Sequence, residues 1–282
     1  MTYVVCIGAA TQDTIFRVPR HPEPDDLVVA SDLVVAGGGP AATAAVTLAR
    51  LGVETYFAGA VGDDDAGAEI REGLEREGVD VSCLRTVAGA RSWQSTILVG
   101  DGTRAIVTVP GPEVVLDARG EELCRRAAWV HVDQAGYAAA PRERVRLSID
   151  GGNPIPDLDL RGVALYAPTE RALYEAFPGG AEEALAAGAE LVVVTRGPKA
   201  SLAWDGPKRQ IQAKVYSGDV VSTLGAGDVF HGALLAQLVR GVRLEKALAS
   251  ANMCAYLSCQ ALDGRSAIPT AEELEAWFTA LQ

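Results

Sequence analysis

The stretch Ser222-Thr223-Leu224-Gly225-Ala226-Gly227-Asp228-Val229-Phe230 reads S-T-L-G-A-G-D-V-F, with small residues leading straight into an apolar helix that carries a carboxylate in its first turn. Residues without bulky side chains let backbone N–H groups approach an anion, and the positive end of the following helix favours negative charge there. Asp228 then stands where it can take a proton from an attacking hydroxyl. Alone, G-A-G-D reads equally well as a tight turn capped by an acid. Phosphoryl transfer would use both features, since it needs a deprotonated nucleophile in line with the phosphorus and donors around the transferring group.

Outward from this stretch, short β-branched runs alternate with alanine-rich helical segments, the pattern of an α/β fold whose parallel strands are joined by crossover helices. The pattern predicts core strands at 3–7, 55–60, 129–132, 146–150, 162–166 and 191–195, and helices at 40–51, 66–77, 118–128, 169–176 and 181–187. Gly52 and Gly78 read as helix stops. After Asp228 the chain turns helical over 229–240, 244–257 and 271–281. Two regions, about 14–36 and 91–109, break the rhythm: their strands read as alternating or paired, with no helix between. Pro19, Pro22 and Pro24 bend the first, and Asp101-Gly102 marks a hairpin in the second, so a small sheet outside the core is expected. No repeat or linker divides the chain, and its length suits one domain over 1–282.

The chain of 282 residues carries 37 acidic against 25 basic side chains, a net charge of −12, which speaks against a nucleic-acid partner because duplex binding relies on a basic face. An anionic ligand must then be held locally. Five cysteines, with no C-x-x-C pair among them, signal neither a zinc site nor a disulfide framework and read as free thiols in a reducing compartment. No apolar run reaches the roughly 20 residues that span a bilayer. The start, M-T-Y-V-V-C-I-G, enters a strand-like run without a basic leader. A cytoplasmic location with no membrane partner is the expectation.

Further residues draw attention. Gly37-Gly38-Gly39-Pro40 precedes an alanine-rich helix with Pro at its first position, either a closely packed strand-to-helix turn or a floor on which a polyhydroxylated substrate lies against backbone groups. Asp13 follows the first strand in G-A-A-T-Q-D, at the end of the sheet where open α/β folds gather ligands, and reads either as a solvated loop acid or as a carboxylate accepting hydrogen bonds from two vicinal hydroxyls. His231 and His131 read first as packing or hydrogen-bonding residues, Trp93 and Gln94 as the substrate side of the small sheet or as its core. Arg104 and Arg265 read as phosphate or substrate contacts or as surface charge. Asp63-Asp64-Asp65 resembles a metal-binding run but has a simpler role as a helix cap.

These elements together resemble the ribokinase/PfkB family of small-molecule kinases across essentially the whole chain. The matching stretches are G-x-x-x-x-D ending at Asp13, G-G-G-P-A-A-T-A-A from Gly37, V-G-D-D-D-A-G from Val61, V-V-T-R-G from Val193 and G-A-G-D-V-F-H-G-A from Gly225. The resemblance implies a three-layer α/β/α core with a mostly parallel sheet and a small β-sheet lid, and phosphorylation of a hydroxyl of a small sugar or polyol by ATP with Mg2+. It implies Asp228 as the base and Gly225, Ala226 and Gly227 as the anion hole. Asp13, Gly38 and Gly39 would hold the sugar, Thr195, Gly197 and Asn252 the nucleotide, and Glu170 the magnesium with its waters. It also implies a homodimer through the lid.

The sequence departs from the family at three places. Ser222 replaces an acid linked to a monovalent-cation site, Ala167 replaces the Asn of N-x-x-E, and Ala42 stands where many sugar-binding members have Asn. Within the family the motifs look most like the sulfofructose kinases. Leu27 and Gln134, however, stand where that subgroup's basic contacts align, and a permanent anion needs Lys, Arg or amide donors. A neutral sugar or polyol is the primary expectation. A sulfofructose, nucleoside or phosphosugar kinase and a sugar- or nucleotide-binding regulator are the alternatives.

Overall fold

The structure is a computed structural model that describes residues 2–206, 210–213, 216 and 218–280. Along the chain run β1 (Tyr3–Ile7), β2 (Thr11–Arg17), β3 (Asp32–Gly38), α1 (Pro40–Arg50), β4 (Glu54–Gly62), α2 (Asp65–Arg76), β5 (Asp80–Val87), β6 (Trp93–Gly100) and β7 (Thr103–Val109). They are followed by α3 (Ala118–Arg126), β8 (Trp129–Val132), β9 (Leu147–Gly151), β10 (Val163–Pro168), α4 (Glu170–Ala176), α5 (Ala181–Ala186) and β11 (Val192–Val194). The last elements are β12 (Leu202–Trp204), β13 (Gln210–Gln212), α6 (Ala226–Val239), α7 (Leu244–Ser258) and α8 (Ala271–Ala280). The end of the expected last helix, at 281, lies outside the described residues.

Among the described residues, nine strands form one sheet in the order β13-β12-β11-β10-β9-β8-β1-β4-β5. Its pairings from β5 to β11 are parallel, and only the β11-β12-β13 edge is antiparallel. Helices cover both faces, and β1 shows why: Val4 and Cys6 pack with α1, α6 and α7, while Val5 and Ile7 join the cluster of α3, α4 and α5. Each such fully buried aliphatic side chain contributes roughly 1.5–3 kcal/mol. The architecture is the three-layer α/β/α arrangement expected. The sequence pattern did not reveal β5, an edge strand whose polar residues interrupt its apolar ones, nor β12 and β13, too short to show a period.

The second sheet has the order β3-β2-β6-β7. The expected hairpin is present: Asp101 and Gly102 both have positive φ (51° and 67°), as a two-residue type I′ turn requires. The sheet is longer than its sequence suggested. Pairing begins at Thr11↔Gly38 and Thr11↔Trp93, so Asp13 lies within β2 rather than in a loop, and Gly37 and Gly38 end β3, leaving Gly39 as the closely packed turn into α1. Backbone pairing, which the apolar pattern does not report, carries the strands past their hydrophobic stretch.

Two close approaches set the helices that matter. A Cβ on Gly232 of α6 would lie 2.5 Å from the Ala44 carbonyl oxygen and 2.7 Å from Thr47 Cβ, so the glycine and the alanines of α1 let the two helices touch backbone to backbone. That contact fixes the start of α6 relative to the start of α1. Asp64 caps α2 as expected, accepting from Gly67 N at 2.9 Å, and its carboxylate also accepts from the N–H and hydroxyl of Ser92 at the foot of β6 (2.9 and 2.6 Å).

Candidate active site

A cavity of about 510 Å³ opens between the two sheets at the carboxyl ends of β1, β8, β9, β10 and β11. Its lining brings together Asp13, Gly38, Gly39, Thr195, Gly225, Gly227 and Asp228. Ala226, Gly197, Glu170 and Asn252 do not belong to that lining.

One end is built around Asp13, which is 7% exposed and accepts a hydrogen bond from Thr11 Oγ1 at 2.6 Å. Burial pushes its carboxyl above the ordinary range, against the opposing influence of Thr11 and of the Arg265 charge. Gly38 makes room for Asp13, because a Cβ there would fall 2.0 Å from Asp13 Oδ2 and displace that carboxylate. Gly39 combines a φ of 91° with a Cβ position 2.3 Å from the Ala9 carbonyl oxygen. Arg265 proves to be a buried clamp and not surface charge: Nη2 donates to Gly38 O at 2.6 Å and Nε to Thr43 Oγ1 at 3.1 Å, tying the end of β3 to α1.

Asp133 was not singled out from the sequence. Its fully buried carboxylate accepts from the N–H groups of Ala9 (2.9 Å), Ala41 (3.1 Å), Ala135 and Gly136 (both 2.9 Å), joining the end of β1, the first turn of α1 and the loop after β8. Burial outweighs these bonds and pushes it up to about 6.

At the other end α6 begins from Gly225, whose φ of 72° is left-handed. No side chain caps the helix: Ala226 N donates to the Thr223 carbonyl at a long 3.4 Å, and the Gly227 and Asp228 N–H groups face the helix end. A Cβ on Gly227 would meet nothing within 4 Å. An uncapped positive helix end beside empty space fits a phosphate chain. Asp228 stands half-buried in the cavity wall. Desolvation there, and then the neighbouring Asp150, push its carboxyl up to about 7, while His231 pulls the other way. Arg104 reaches over from β7 and donates from Nη1 to Thr223 Oγ1 at 2.9 Å. Ser222 Oγ accepts from Leu224 N at 3.2 Å.

The remaining expectations divide. Trp93 lines the cavity, whereas Gln94 lies on the exposed face of β6, as strand alternation requires. Thr195 bridges to Thr169 at the carboxyl end of the sheet, and Gly197 follows with a φ of 57° and nothing within 4 Å of a Cβ. Glu170 opens α4 with Oε1 4.0 Å from Arg196 Nη1, and Asn252 lies on α7. Leu27, 82% exposed, is not among the residues lining the cavity, while Gln134 is. His131 and His231 pack and make polar contacts as expected, His131 Nδ1 lying 3.0 Å from Ser148 Oγ and His231 Nδ1 3.1 Å from Asp150 Oδ2.

The model for "pfkB family carbohydrate kinase" matches residues 1–146 and 173–271. The chain is 26% identical to the ribokinase of Bacillus subtilis, covering 98% of this chain and 99% of that protein. It is 30% identical to the ATP-dependent ribose-1-phosphate kinase of Halopiger xanaduensis, covering 99% of each. Its fold matches Arabidopsis thaliana ribokinase, solved with ribose and ATP, at a TM-score of 0.83 and 25% identity over 98% of both chains. The ribokinase-like architecture and these matches along nearly its whole length place it: the chain belongs to the pfkB family of carbohydrate kinases.

Proposed function

We propose that this ATP-dependent kinase phosphorylates a hydroxyl of a small, uncharged sugar or polyol, with Asp228 as the base. The observation that carries the reading is one cavity in which Asp13, Gly38 and Gly39 face Asp228 and the uncapped start of α6. ATP with Mg2+ supplies the transferable phosphoryl group and neutralises its developing charge. Asp13 and the backbone of Gly38 and Gly39 hold the substrate hydroxyls, and Asp228 accepts the proton of the attacking one. The N–H groups of Gly225, Ala226 and Gly227 receive the charge of the transferring group. Thr195, Gly197 and Asn252 lie along the nucleotide, and Glu170, next to the cavity-lining Thr169, orders waters of the magnesium.

Charge favours an uncharged substrate. Among the described residues the lining carries the carboxylates Asp13, Asp150 and Asp228 against the guanidinium of Arg104 and the His231 imidazole, whose charge Asp150 already offsets. A sulfonate or phosphate would meet mostly like charge, and the neutral Gln134 adds no cation. Residues 1–282 act as one kinase domain, and the four-stranded sheet serves as a lid that keeps water from the phosphoryl group. Its outer strand β7 is exposed throughout, with Val107 72% accessible, and supports a homodimer formed through the lid. Sedimentation velocity tests this: a dimer that Val107→Asp converts to monomer is expected, and a monomeric wild type removes it. Among the described residues no helix is long and apolar enough to cross a membrane, consistent with action on a small dissolved substrate.

ADP release measured over sugars, sulfosugars, nucleosides and sugar phosphates tests the substrate class, with turnover expected on neutral sugars or polyols. Asp228→Asn should lose on the order of 10²–10⁴-fold in kcat while keeping its melting temperature and its ATP affinity. Near-normal turnover by that variant would remove Asp228 from the role of base. Binding without ADP release for every compound would point to a regulator.

A further inference from the structure

Pleating puts His131 of β8 and Ser148 and Asp150 of β9 on the face of the large sheet that α6 covers. His131 and Ser148 are register partners, and His131 Nδ1 lies 3.0 Å from Ser148 Oγ. Asp150 Oδ1 accepts from Gly152 N at 2.8 Å, and its Oδ2 stands 3.1 Å from His231 Nδ1, an ion-pair distance without hydrogen-bond geometry. The two imidazole rings sit 5.8 Å apart. His131 is fully buried, and Asp150 and His231 are each 4% exposed. His231 follows Asp228 by one helical turn, and both share the cavity wall with Asp150.

We propose that His231, anchored by Asp150, is a positioning residue for phosphoryl transfer: as an imidazolium it neutralises Asp150 and keeps Asp228 ionised and turned toward the substrate hydroxyl. The inference rests on Asp228 being the base. The charged groups facing Asp228 are Asp150 from β9, Asp133 after β8, His231 on α6, Arg104 from β7 and Arg265 before α8. Asp150 and Asp228 thus share the cavity wall with the buried Asp133 close enough to act on Asp228, and the three carboxylates cannot all ionise at neutral pH without a compensating charge. Burial works against the charge on His231, but Asp150 beside it holds the ring above its ordinary value. Burial likewise opposes ionisation of Asp150, which His231 overcomes. His131, pushed down to about 3 by burial and then by the His231 charge, stays neutral and braces the neighbouring ring.

The sign of the effect is fixed. The positive His231 lowers the pKa of Asp228, so removing it leaves Asp150 unpaired beside the base and drives that pKa further up. The pH dependence of kcat/KM is the readout. His231→Gln should move the acid limb upward by about one pH unit or more, costing about tenfold at neutral pH and much less in alkali. Asp150→Asn combined with His231→Gln removes both charges and should bring the limb back toward wild type. Carboxyl ¹³C NMR of the full-length protein, with the Asp228 signal assigned by its loss in Asp228→Asn, reads the same titration even in an inactive variant. An Asp228 titration unchanged by His231→Gln, or a loss of activity equal at every pH, overturns this inference and leaves the base assignment standing. Full turnover by Asp228→Asn would instead overturn the base assignment itself.

Discussion

The two ends of the cavity use glycine for opposite reasons. At the sugar end Gly38 and Gly39 are glycine because the protein itself fills the space, with Asp13 Oδ2 at 2.0 Å and the Ala9 carbonyl at 2.3 Å from the positions a Cβ would take. At the proposed phosphoryl end Gly227 has nothing within 4 Å of such an atom. The first end is a finished, close-packed surface, held from behind by Arg265 and Asp133. The second is an uncapped helix start with open space beside it. The same residue type therefore protects the fold in one place and leaves room for chemistry in the other.

A matched pair of substitutions breaks or sharpens that contrast most strongly. Gly39→Ala should destabilise the protein by about 2–3 kcal/mol, from a side chain at positive φ driven into a backbone carbonyl. Urea unfolding would read this as a lower midpoint at unchanged slope. Gly227→Ala should leave the unfolding midpoint where it is yet lower kcat/KM on the order of 10²-fold, because a methyl group displaces the phosphate from first-turn N–H groups. A Gly227→Ala protein that unfolds early, or a Gly39→Ala protein as stable as wild type, would dissolve the distinction.

The contrast also explains what could be read in the residues. The phosphoryl end is local: S-T-L-G-A-G-D-V-F carries its turn, its helix start and its acid within one short stretch, and the structure places them as that order implies. The core strands were legible for a related reason, since a strand covered on both faces is a continuous apolar run such as Y-V-V-C-I. The sugar end is assembled from afar. Arg265 reaches Gly38 across 227 residues and Asp133 reaches Ala9 across 124, and no spacing rule announces that an arginine or aspartate will be buried by such partners. The Asp150–His231 pair was hidden in the same way, because β9 and α6 meet only through the sheet's tertiary packing. Asp13 read as a loop acid because the apolar alternation of β2 becomes visible only at Ile15, whereas its backbone pairing starts at Thr11.

The smaller effect belongs to Asp13, where the finished end meets its ligand. Asp13→Asn keeps the shape and the possibility of the Thr11 contact but replaces a charged acceptor with a neutral one. A hydrogen bond to a charged group is worth about 1.5–3 kcal/mol, so KM for the sugar should rise roughly 10- to 100-fold. The affinity for ATP, bound at the other end, should change by less than about twofold, because distant sites without shared partners behave additively. Isothermal titration of nucleotide alongside steady-state kinetics in sugar separates the two. The pH dependence adds a second handle. Burial raises the Asp13 pKa, and the ionised form is the acceptor, so wild-type sugar affinity should weaken as acid protonates it. The Asn variant, with no carboxyl at this position, should lack that component. If ATP affinity falls with sugar affinity, the two ends are one coupled surface, and the lid rather than the glycines sets the division between them.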